Sequence, residues 1–169
     1  ATLTLLGLII GFTFSMAIGR YDQRKTYEEE EANAIGTEYL RADLLPAAEA
    51  AHVKQLLAAY LDQRILYYTT RDNEAIRQII SDTTRLQDEM WAAVKAPALA
   101  APTALTGLAV SGMNDVINTQ GYTTAAWLNR IPAAAWFLMV FIATSTALLV
   151  GIGMRRGTGL LALALVAGL

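Results

Sequence analysis

Apolar positions along the chain come in two kinds of run. Residues 1–19 (ATLTLLGLIIGFTFSMAIG), 131–154 and 158–169 are apolar stretches without a single charge. At 1.5 Å per helical residue, the first reaches about 28 Å, close to the roughly 30 Å hydrocarbon core of a bilayer. The last reaches only about 18 Å. The pattern predicts a membrane helix over 1–19, another over 131–154 and the start of a further one over 158–169. Ala1 and Leu169 are therefore expected to lie inside a longer protein.

Residues 20–130 are patterned differently. Glu28–Glu31 opens a helical stretch that continues through Ile35 to Leu40. Asp43-Leu44-Leu45-Pro46 ends it, because the residue before a proline is pushed out of the α region. Pro46 suits the first position of a new helix. On that helix Val53, Leu56, Leu57, Tyr60, Leu61 and Gln63-Arg64 follow a 3.6-residue period, with Lys54 and Asp62 outside it. Thr69–Asn73 reads as a turn, and Asp72 or Asn73 suits the cap of the next helix. There Ile76, Ile79, Ile80, Thr83, Leu86, Met90, Trp91 and Val94 form one stripe. Residues 96–106 (APALAAPTALT) are expected to be a connector. Residues 107–129 are mildly apolar and are expected to form a helix that Gly121 interrupts. No stretch alternates with period two.

Composition agrees with this division. The chain is 54% hydrophobic and 17% charged, against about 45–50% and about 25% in soluble domains. Nearly all the charge lies between Arg20 and Lys95. The fold class expected is an all-α integral membrane protein with a helical domain, 20–130, between its spans. High apolar content excludes disorder. The absence of cysteine excludes a disulfide scaffold and a Cys-based metal or redox site. A pI near 5.4 disfavours nucleic-acid binding. His52 is the only histidine, so no multi-His metal site is possible. There is no nucleophile–base set, phosphate loop or catalytic carboxylate pair. No enzyme activity and no cofactor is expected.

The run GFTFSMAIGRYDQRK, followed by EEEEANAIGTEYLRADLLP, resembles the bacterial bestrophin-like membrane family. The motif core is Glu31-Ala32-Asn33-Ala34-Ile35-Gly36-Thr37, then Tyr39 to Pro46. Leu86-Gln87, Met90-Trp91 and Asn114-Asp115-Val116-Ile117 continue the likeness, which covers roughly residues 5–165. A more distant likeness reaches the bestrophin channels, whose pore helix carries a Gly-aromatic pair and, nine residues on, an Arg-aromatic pair. Gly11-Phe12 and Arg20-Tyr21 match that spacing. The resemblance implies a bestrophin-like helical bundle around one axial pore, a homo-pentamer, with 1–19 as its second span. It also implies a pore neck of side chains one turn apart, at Thr4, Leu8 and Phe12. The acidic calcium clasp of animal bestrophins has no counterpart in the sequence.

Several positions carry more than one reading. Leu8 and Phe12 share a helix face with Thr4, and face either a pore, where apolar rings gate by dewetting, or lipid or a neighbouring helix. Gly7, Gly11 and Gly19 suit close helix contacts. Arg20 and Arg24, beside Tyr21, read first as interface anchors that place that end of the span in the cytoplasm, and otherwise as residues that hold lipid headgroups, pair with Asp22 or the glutamate run, or line the pore mouth. Glu28–Glu31 is either a solvated helix start or an acidic ring at a pore mouth. Asn33, among apolar neighbours, is expected to be buried and hydrogen-bonded, and Gly36 and Pro46 complete its motif. Asn114-Asp115 reads as a structural cap or inter-helix hydrogen bond, ahead of ion binding. The expected setting is the bacterial inner membrane, multi-pass, with 20–130 cytoplasmic. The expected partners are the lipid bilayer, further copies of the chain or other membrane subunits, and inorganic ions. The function expected is an oligomeric ion channel, or else a non-conducting accessory or scaffold subunit of a larger membrane complex.

Overall fold

The computed structural model describes residues 2–129 and 133–155. Among these, all regular structure is helical: α1 (Thr2–Arg41), a 3-10 turn (Ala42–Leu44), α2 (Ala47–Thr69), α3 (Asn73–Ala100), α4 (Ala104–Leu128) and α5 (Ala133–Arg155). The span expected at 158–169 lies outside the described residues. The chain divides into two compact units. One holds Gln23–Leu128, and the other holds the segments before and after it.

α1 is a single helix, where the apolar pattern alone separates a span at 1–19 from a helical stretch beginning at Glu28. Nothing in Arg20–Glu31 breaks it: there is no Gly or Pro, and Lys25 pairs with Glu29 one turn on. It stops ahead of Pro46, and α2 begins at Ala47 with Pro46 as its N-cap. Asp72 caps α3, its carboxylate accepting from the Ala75 N–H at 2.7 Å.

The expected connector over 96–106 shrinks to three residues. α3 runs through Pro97 to Ala100. Alanine, the best helix former, flanks Pro97, which gives up the bond its N–H would make to the Ala93 carbonyl and has only three helical residues after it. Thr103 and Thr106 then open α4 reciprocally. Each hydroxyl accepts the other's backbone N–H, at 3.1 and 3.0 Å, in the manner of a capping box. α4 also continues through Gly121 without interruption.

In the Gln23–Leu128 unit the core forms where the stripes of α2 and α3 meet α4. Val53, Leu57, Tyr60, Met90, Val94, Met113 and Val116 are fully buried, and Ile35 and Ala42 close the cluster. The predicted stripes divide here. Leu61, Ile80 and Trp91 are apolar but exposed. Each is adjacent in sequence to a buried-face position and lies past the edge of the contact.

The described residues of the other unit are mostly apolar. Trp136, Phe137, Val140, Phe141, Leu148 and Leu149 on α5 are all exposed. An apolar cleft of about 230 Å³ is lined by Ile9, Ile10, Trp136, Met139 and Val140. The stretch Ala104–Ile152 contains a segment long and apolar enough to cross a membrane.

Candidate functional site

The residues singled out from the sequence fall into four places. The first is the N-terminal part of α1. Thr4, Leu8 and Phe12 lie one turn apart on one face and are all exposed, Leu8 at 55% and Phe12 at 62%. A Cβ added at Gly7, Gly11 or Gly19 would meet nothing within 4 Å. This face is therefore uncovered in the single chain.

The second is the stretch of α1 from Arg20 to Glu31. Arg20 donates to the Asn129 carbonyl at 3.3 Å. Within the Gln23–Leu128 unit, Arg24 donates to the Ala126 carbonyl at 3.2 Å and lies over the Trp127 ring. A guanidinium on the last carbonyls of α4 suits the negative end of a helix dipole. Glu28 accepts from the Trp127 indole N–H at 3.0 Å. The Thr123 hydroxyl reaches the Tyr27 carbonyl at 3.3 Å, and Tyr27 stacks on Tyr122.

Glu31 goes further inward. Its carboxylate is buried, paired with the Arg64 guanidinium of α2 and accepting from the Tyr68 hydroxyl at 2.7 Å. Arg64 also lies over the Tyr67 and Tyr68 rings. Burial works against the Arg64 charge, but the bond to Glu31 and its negative charge outweigh it and raise the guanidinium pKa. Burial, then the Glu31 contact, also raises Tyr68. Tyr60 is pushed up to about 12, first by burial and then by the Glu31 charge. Glu28 and Glu31 therefore face protein partners in this chain. Glu29, paired with Lys25, is one of the exposed members of the acidic run.

The third place surrounds Glu38, which the sequence reading passed over. Glu38 is fully buried, and neither carboxyl oxygen has a hydrogen-bond partner. A Cβ on Gly112 of α4 would collide with Glu38 Oε2 and lie 2.7 Å from Arg41 Nη1. The glycine leaves the space that the carboxyl fills. Arg41 pairs with Asp115 at 3.8 Å. Glu38 is pushed up to about 8, mainly by burial, with Arg41 opposing the shift and Asp115 adding to it. The signal for this site is the row Glu31, Ile35 and Glu38, which share one face of α1 and are all buried, continued by the buried Ala42 at the start of the 3-10 turn.

The remaining positions are peripheral. Asn33 is exposed, contrary to the expectation of a buried, hydrogen-bonded amide: it lies two residues past Glu31, on the opposite side of α1 from the buried row. Gly36 is exposed with open space around it. Asn114 is exposed, while its neighbour Asp115 makes the inter-helix contact with Arg41. No cluster of metal-ligating side chains is present among the described residues.

A family model for the bestrophin-like domain matches residues 3–169. The chain belongs to that family, as the motif from Glu31 to Pro46 suggests. No curated protein and no solved structure matches it.

Proposed function

We propose that this chain is a membrane-embedded subunit of a bestrophin-like ion channel, with its neck on the N-terminal part of α1. Membership of the bestrophin-like family carries the reading. The exposed row Thr4, Leu8 and Phe12 supports it. In an oligomer, rings of these side chains narrow an axial path to an apolar constriction, wetted at one level by the Thr4 hydroxyls, which gates by dewetting. Several copies, in this reading a homo-pentamer, close the ring. α5, with exposed side chains such as Phe137 at 75%, faces lipid or neighbouring copies. The Gln23–Leu128 unit lies in the bacterial cytoplasm.

The test is conductance of the purified full-length protein in planar bilayers. Wild-type protein is expected to conduct, and Phe12→Ala to change the unitary current or the closed-state leak. A five-fold assembly with no continuous axial path would overturn the reading.

A second reading rests on the exposed Leu61, Ile65 and Leu66 of α2 and Ile80 and Trp91 of α3. In it, these side chains dock a different membrane subunit, and the chain is an accessory component that does not conduct. Co-purification with an unrelated chain at fixed stoichiometry favours this reading, and a stable homo-oligomer in detergent counts against it.

A further inference from the structure

Glu38 has no part in the proposed neck. Its side chain is completely buried between α1 and α4, and both carboxyl oxygens lack a partner. Gly112 is the reason it fits, since a side chain there would occupy the position of Oε2. One turn along α1, Arg41 is engaged with Asp115 rather than with Glu38. These are the two charges that bear on the carboxyl, one from its own helix and one from α4. On the 3-10 turn and α2, Asp43 and Lys54 are bonded to each other at 2.6 Å.

A neutral carboxylic acid can occupy this position at modest cost. A carboxylate cannot: it would be a dry, unpartnered charge near another carboxylate. The cation needed to neutralise it is Arg41, which is already shared with Asp115.

We propose that the α1–α4 contact at Glu38 is a proton-operated latch, closed while the Glu38 carboxyl holds its proton and released when that proton is lost to water. On release the carboxylate leaves its place against Gly112 for solvent and the Arg41 guanidinium. Arg41 lets go of Asp115, and the α1–α4 packing at this level loosens. The raised pKa of Glu38 places the change just above neutrality. The inference does not depend on conduction.

The test uses the full chain in detergent or lipid. The sequence has no cysteine, so spin labels go uniquely on Leu40→Cys and Asn114→Cys, both exposed sites, one on α1 and one on α4. Labelled chains are diluted with unlabelled ones so that only distances within a chain are read. Infrared difference spectra are expected to show a protonated carboxyl band that titrates near pH 8 and is lost in Glu38→Gln. The label distance is expected to be narrow at about pH 6 and to lengthen or broaden by about pH 9.5. In Glu38→Gln it stays narrow throughout. Gly112→Ala supplies a separate handle: its methyl displaces the carboxyl, and the band is expected to titrate back toward the ordinary carboxylate range. The latch is overturned by the absence of such a band, by a label distance that ignores pH, or by the same pH response in Glu38→Gln.

Discussion

The Glu31–Arg64–Tyr68 cluster sets what single residues do in this protein. Glu31 and Arg64 are each only 3% exposed at the side chain, so removing one leaves the other buried and uncompensated. Arg64→Ala is expected to cost about 3–5 kcal/mol. Tyr68→Phe deletes one hydrogen bond to a carboxylate and is expected to cost about 1.5–3 kcal/mol. Thermal melts of both variants in one detergent check the order, and equal losses would contradict it. Glu38 carries the opposite lesson. Its pKa in the fold lies above the unfolded value of 4.5. The folded state therefore holds a proton that the unfolded chain has released. The stability it contributes is fully present below about 4.5 and is lost as pH rises toward about 8. The melting temperature of wild type is expected to fall across that window relative to Glu38→Gln, whose curve lacks this component.

Little of this was legible in the sequence. The partners of Glu31 lie 33 and 37 residues away, and four adjacent glutamates look alike until one of them is buried. The visible clue was Arg64, which falls in step with Val53, Leu57 and Tyr60 on α2. Glu38 left a fainter one, since it follows Glu31 and Ile35 at helical spacing and is the one charged residue between Glu31 and Arg41.

Among the elements, α2 and α3 were the most readable, because each has one apolar stripe and a polar remainder. Met90 belongs to the α3 stripe and is fully buried. Met90→Ala is expected to cost about 2–5 kcal/mol. Asp72→Ala removes the N-cap of the same helix and is expected to cost about 1 kcal/mol. Circular-dichroism melts of the two variants separate a core loss from a helix-end loss. α4 was harder to read. It is apolar on most sides, so periodicity does not say which face packs, and the Thr103–Thr106 cap that begins it resembles ordinary loop composition. The proline of α3 misled for a related reason. A Pro amid alanines reads as a linker until its distance from the helix end is known.

For the whole molecule, the charge-free runs at 1–19 and 131–154 and the exposed apolar side chains of α5 point to a surface that water does not solvate well. The chain is expected to stay in the membrane fraction through an alkaline wash and to be released only by detergent. Release by alkali alone would contradict the membrane reading. The charge segregation along the chain carries this outline by itself, and the family motif narrows it. Whether copies of the chain associate depends on surfaces such as the exposed row Thr4, Leu8 and Phe12, which the single chain leaves uncovered.

Gly112 also constrains how the sequence can change over descent. The hollow beside it is shaped to a particular carboxyl on another helix, 74 positions earlier in the chain. The two sites are therefore not free to drift separately. A relative bearing Ala or Ser where this chain has Gly112 must either turn that carboxyl out of the hollow or carry something shorter than Glu where this chain has Glu38. Alignments of the family should show the two positions changing together.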